Sequence, residues 1–183
     1  LQALLGDRGG IVTVLETMRA HRAVAGVQAM SCWALVNVCS GDDAEGRARK
    51  QRAADAGAIE AIAAAVQAHP QVADVQQFGC RALVDVCIGT DAAGFARIQR
   101  AADAGGIELA VAALQAHPQV AGVQQRGCRA MANVCLGTDA AGLARKQRAA
   151  AAGAIEAAAA AMQAHPQVAG VQGQGQRLRD LLA

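Results

Sequence analysis

Apolar positions recur along this chain at helical spacing, and no stretch alternates with a period of two. Between Gly10 and His21, residues Ile11, Val14, Leu15 and Met18 stand at i, i+3, i+4 and i+7 and mark one face of a helix. The next segment, Val27 to Gly41, is apolar around most of its circumference. Gln28, Cys32, Leu35, Val36 and Cys39 share one face, with Val27, Ala34 and Val38 beside them. Such a helix is expected to lie between neighbours on two sides, leaving a narrow stripe of Met30, Trp33 and Asn37 open. A third segment, Gly41 to Gly57, is polar, with Asp43 placed as its N-cap. Its weak apolar anchoring predicts the outermost and least rigid helix of the three.

The pattern then returns every 48 residues. Val27 falls on Val75, Val123 and Val171, Cys32 on Cys80 and Cys128, and Cys39 on Cys87 and Cys135. His21, His69, His117 and His165 share a register, and so do the caps Asp43, Asp91 and Asp139. Gly9, Gly57, Gly105 and Gly153 close the polar helix, while the His-Pro pairs at 69, 117 and 165 stop the leading one. A repeat of this length built from helix-like segments predicts an all-α stack in which each unit touches its neighbours, an α-solenoid. The reading is a single array over 1–183: the end of a partial repeat at 1–8, full units at 9–56, 57–104 and 105–152, and a partial unit at 153–183. The last unit decays, with Arg179 where earlier copies have leucine or methionine. Because the chain opens on Leu1 inside a repeat, it is expected to be part of something longer. Leu1, Leu4 and Leu5 at the front and Leu178, Leu181 and Leu182 at the back are expected to be covered by more repeats or another subunit.

Composition narrows the function. A formal net charge of +2 and an aromatic content of 2% give little bulk attraction for nucleic acid and few platforms for stacking bases. The longest apolar run, Ala149 to Ala164, is broken by Gly153 and Glu156 and is too short to cross a bilayer. The six cysteines pair at a spacing of seven, about 10 Å along a helix axis, too far for a disulfide within one helix. They are expected to be small buried residues in a reducing, cytoplasmic compartment. The histidines are expected to end helices rather than bind metal. The basic helices, which carry Arg47, Arg49, Lys50, Arg52, Arg97, Arg100, Arg145, Lys146 and Arg148, are expected to be solvated faces. A nucleic-acid ridge along them is the less favoured alternative. No nucleophile, base and oxyanion set stands together, so neither an enzyme nor a cofactor is expected.

The motif Trp33-Ala34-Leu35-Val36-Asn37, with Ala56-Gly57-Ala58-Ile59-Glu60-Ala61-Ile62, resembles the armadillo repeat family over the whole chain, with a unit longer than the usual one. In family terms the polar helix is the first of a repeat, the leading helix the second and the Cys-rich middle helix the third. The resemblance implies a right-handed solenoid and a non-enzymatic scaffold or adaptor that binds protein partners, an extended peptide or a subunit surface, through the concave face of its third helices. It implies partner contacts at Trp33 and Asn37, and at the matching positions Arg81, Asp85, Arg129 and Asn133. The tryptophan is matched by arginine in two copies and the asparagine by Asp85 in one, a departure that suits an acidic or irregular partner. The alternative is a structural subunit of a large assembly whose groove holds no peptide.

Overall fold

The computed structural model describes residues 8–183, and Leu1, Leu4 and Leu5 lie outside them. Within that span the protein is all-helical, with no strand among the described residues. The helices are α1 (Arg8–Ala20), α2 (Ala25–Val38), α3 (Ala44–Asp55), α4 (Ala58–Ala68), α5 (Ala73–Cys87), α6 (Ala92–Asp103), α7 (Gly106–Ala116), α8 (Ala121–Val134), α9 (Ala140–Ala151), α10 (Ala154–Ala164) and α11 (Ala169–Leu182). Each 48-residue period thus yields a leading helix, a middle helix and a basic helix. The middle helices α2, α5, α8 and α11 pack side by side in sequence order, and each leading helix packs on the middle helix that follows it.

Local chemistry sets these boundaries. The carboxylates of Asp43, Asp91 and Asp139 accept the backbone N–H of Gly46, Gly94 and Gly142 at 2.7, 2.7 and 2.8 Å, capping α3, α6 and α9. Gly57, Gly105 and Gly153 turn the chain into the next leading helix at φ of +92°, +85° and +83°, where a Cβ would be strained. His69, His117 and His165 terminate α4, α7 and α10.

The core runs through the middle helices. Cys32, Leu35, Cys80, Leu83, Cys128 and Met131 are buried, as are Ile11, Leu15, Ile59, Ile62, Ile107 and Leu114 from the leading helices. Small residues allow this closeness: a Cβ on Gly127 would meet Leu114 Cδ2 at 2.8 Å. All six cysteines are free and buried. Burial pushes the thiols of Cys32, Cys39, Cys80, Cys87 and Cys128 up to about 12 and that of Cys135 to about 11, so they remain protonated. At the C-terminal end, Leu178 is fully buried rather than presented outward, and Arg179 and Asp180 are the exposed residues. One residue's offset reconciles the two: Leu178 takes the register of Ala130 and fills the interior in its place.

Polar side chains bind helix to helix within a unit and one unit to the next. Gln28, Gln76, Gln124 and Gln172 each donate from Nε2 to two carbonyls at the end of the preceding leading helix, as Gln124 does to Leu114 and His117 at 2.9 Å each. The Nε2–H of His69, His117 and His165 donates to the carbonyls of Arg22, Pro70 and Pro118, one period earlier, at 2.7, 2.8 and 2.9 Å. The histidines therefore end helices and also tie successive units together.

The basic helices depart from the expected solvated face. Arg97 and Arg145 are each only 4% exposed. Arg97 donates to Val86 O at 3.0 Å and Ile88 O at 3.4 Å, and reaches Gln51 Oε1 of the preceding unit at 2.7 Å. Arg145 repeats this on Val134, Leu136 and Gln99, and Arg49 caps Val38 and Ser40 in the same way. Arg100 and Arg148 form two-pronged pairs with Glu60 and Glu108 and also cap the carbonyls of Ala54 and Ala102. Lys50 is buried against Asp42 at 2.7 Å, and this contact holds the Asp42 carboxyl below its ordinary value. Lengthy side chains reach helix-end carbonyls that need donors, which is why charge here does not mean exposure.

Candidate functional site

The middle helices carry one register whose side chains differ from copy to copy, and the structure brings these together as a stripe. Trp33 on α2, Arg81 on α5, Arg129 on α8 and Arg177 on α11 occupy equivalent positions. Met30 and Trp33 are 57% and 37% exposed, large hydrophobic side chains left open on a helix otherwise buried. Trp33 meets Phe78 with ring centroids 5.3 Å apart in a tilted arrangement, and the Arg81 guanidinium lies over the indole at 5.0 Å.

A cationic cluster continues from there. Asp85 Oδ2 stands 3.5 Å from Arg81 Nε, and Asp85 Oδ1 stands 3.9 Å from Arg129 Nη2. Both separations are longer than a close charge-assisted hydrogen bond. Burial raises the Asp85 carboxyl above its ordinary value, and the Arg129 and Arg81 charges only partly offset this. Arg126, half-buried one turn before Arg129, is held below its ordinary value by burial and then by the like charges of Arg81 and Arg129. Next to the cluster lies a hollow of about 730 Å³, lined by Arg129, Asn133, Arg177, Val84, Ile88 and Leu136 among others.

Of the six residues expected to contact a partner, Trp33, Arg81, Asp85 and Arg129 form this connected surface. The two asparagines behave differently. Asn37 is half-buried and donates from Nδ2 to the Trp33 carbonyl on its own helix at 3.0 Å. Asn133 is only 4% exposed and so is not the open contact expected of it. It sits near the C-terminal end of α8, and its Oδ1 is buried without a hydrogen-bond donor. Phe78 and Arg126 were not singled out from the sequence, although their register with Met30 was there to find them.

A second hollow, about 810 Å³, lies between α1 and α4 and includes Met18, Ala61 and Ala65. Its charged rim is already engaged, Arg100 with Glu60 and Arg19 with the Ala56 carbonyl. Among the described residues no three His, Cys, Asp or Glu side chains stand close enough to hold a metal ion, and no helix is long and apolar enough to cross a membrane. No family model, curated protein or solved structure matches the chain.

Proposed function

We propose that this protein is a right-handed solenoid of armadillo-like units that serves as a non-enzymatic scaffold, binding a protein partner along the stripe of its middle helices. One observation carries the reading: Met30, Trp33, Phe78, Arg81, Asp85 and Arg129, drawn from three units, form a continuous surface on helices that are otherwise buried. An open tryptophan flanked by arginines has the composition of an interface centre. The side chains that bind unit to unit recur from copy to copy, whereas those of the stripe vary, as expected of a surface fitted to an asymmetric partner.

A second reading has its own support. The stripe residues already engage one another, Arg81 on Trp33 and Asp85 between two arginines, as they would in a structural subunit whose groove stays empty and whose outer helices make the contacts. Photo-crosslinking in source-cell extract separates the two, with the crosslinker placed at Met30 on the stripe or at Leu143, which is 52% exposed on basic helix α9. Capture of one partner from Met30, abolished by Trp33→Ala, supports the groove. Capture from Leu143 with none from Met30 refutes it in favour of the structural subunit.

A further inference from the structure

Helices α5 and α8 have the same residue at ten of fifteen aligned positions, Ala73–Cys87 against Ala121–Cys135. Two of the five differences, Leu83/Met131 and Val84/Ala132, are apolar exchanges. Asp74/Gly122 lies at the helix start. The remaining two, Phe78/Arg126 and Asp85/Asn133, fall on the stripe, and both move charge in the same direction: one adds a cation and the other removes an anion. The stripe consequently has two unlike ends. Met30, Trp33 and Phe78 make an apolar and aromatic end, while Arg126, Arg129 and Arg177 make a cationic one. Arg126 and Arg177 form no hydrogen bond or ion pair among the described residues, and Arg129 has only the 3.9 Å approach to Asp85. Arg126 stands among the like charges of Arg81 and Arg129, with Asp85 the carboxylate close to all three, and an incoming anion relieves that repulsion.

Resting on the groove reading above, we propose that the stripe reads an extended acidic segment of a partner protein, with an aromatic or aliphatic side chain seated on Met30, Trp33 and Phe78 and carboxylates on Arg126, Arg129 and Arg177. Neighbouring packed helices stand about 10 Å apart and an extended chain advances about 3.3 Å per residue. The apolar anchor and the first carboxylate are then separated by roughly four to six residues. Nucleic acid fits less well: aromatic and cationic groups lie at opposite ends rather than interleaved, and Asp85 sits between them.

The test is fluorescence anisotropy with labelled peptides of roughly 12 residues, long enough to span the four middle helices. Each has one tryptophan near one end and a glutamate tract near the other, made in both chain orders, with glutamine-for-glutamate counterparts and an oligouridine as controls. One order of the glutamate peptide is expected to bind at least about tenfold more tightly than its glutamine counterpart. Arg126→Gln and Arg129→Gln are each expected to weaken it about fivefold, and Trp33→Ala to weaken both glutamate and glutamine forms. Asp85→Asn is expected to tighten binding severalfold, a gain that a merely structural role for Asp85 would not produce. Circular dichroism melts establish that each variant is folded. Equal affinity for glutamate and glutamine peptides, no binding of either, or stronger binding of oligouridine would overturn the proposal. Crosslinking from Met30 judges the groove independently, because it makes no assumption about the partner's charge.

Discussion

Replacing Arg97 by methionine tests whether the basic helices hold the units together. Arg97 is 4% exposed and its guanidinium makes three hydrogen bonds, to Val86 O at 3.0 Å, Gln51 Oε1 at 2.7 Å and Ile88 O at 3.4 Å. A hydrogen bond from a charged donor contributes about 1.5–3 kcal/mol. Two of the three are short and the third is long, and burying the guanidinium carries a desolvation cost that methionine, of similar length, avoids. The net loss works out at about 3 kcal/mol, or roughly 6–12 °C in midpoint for a chain of this size. Arg47→Met on the basic helix α3 is the control: Arg47 is exposed, with a hydrogen bond to the Asp42 carbonyl, and should change stability by less than about 0.5 kcal/mol. Arg97→Lys should recover less than half of the loss, since an ammonium cannot fork to three acceptors in these directions. Urea and thermal unfolding followed by circular dichroism give all three values. An Arg97→Met variant as stable as Arg47→Met would refute the reasoning and return the basic helices to a solvated face.

Other expectations follow from the same geometry. Gln124→Leu strips two buried carbonyls of their donor and should cost about 2–4 kcal/mol in the same unfolding assay, whereas Gln119→Leu, at an exposed position, should be near neutral. Gly57→Ala places a Cβ at φ +92° and should cost about 1–2 kcal/mol; an unchanged midpoint would count against the left-handed turn. The thiols, raised from 9.0 to about 12 in the folded chain, favour the protonated form there, so their contribution is complete below about pH 9 and is lost as pH rises towards 12. The folded protein should therefore resist iodoacetamide at pH 8.5, react once unfolded, and lose stability at alkaline pH, with Cys80→Ala reducing that slope.

Much of the helical architecture was legible from periodicity, because burial of one face imposes a spacing that residues such as Ile11, Leu15 and Met18 cannot hide. Caps and stops were legible too, since Asp43 and Gly57 act on backbone next to them in the chain. The cross-unit bonds were not. Arg97 and Gln51 are far apart in sequence, and only folding reveals that a long cation meets a helix-end carbonyl instead of water. A signal existed in the repeats: Arg49, Arg97 and Arg145 recur at one register, whereas Arg47, Phe95 and Leu143 share another with no common chemistry. Recurrence marked the side chains that bond between units, and variation marked surfaces free to differ. The same contrast would have drawn attention to Phe78 and Arg126. Asn133 was misplaced because the motif fixes its register but not its depth of burial near the end of α8.

Among the described residues, the side-chain hydrogen bonds between units run one way. His117 gives its proton to the unit before it, Arg97 reaches back to Gln51, and Arg148 reaches back to the Ala102 carbonyl. Each unit therefore presents acceptors on its later side and donors on its earlier side. A ribosome releases the earlier side first, so every arriving guanidinium or imidazole finds its carbonyl or carboxylate already in place, held meanwhile by water at little cost. Assembly can then proceed by accretion, each new unit docking on a finished template. Two units meeting in the reverse orientation would set donor against donor, so the chain's own order of synthesis and its order of bonding coincide.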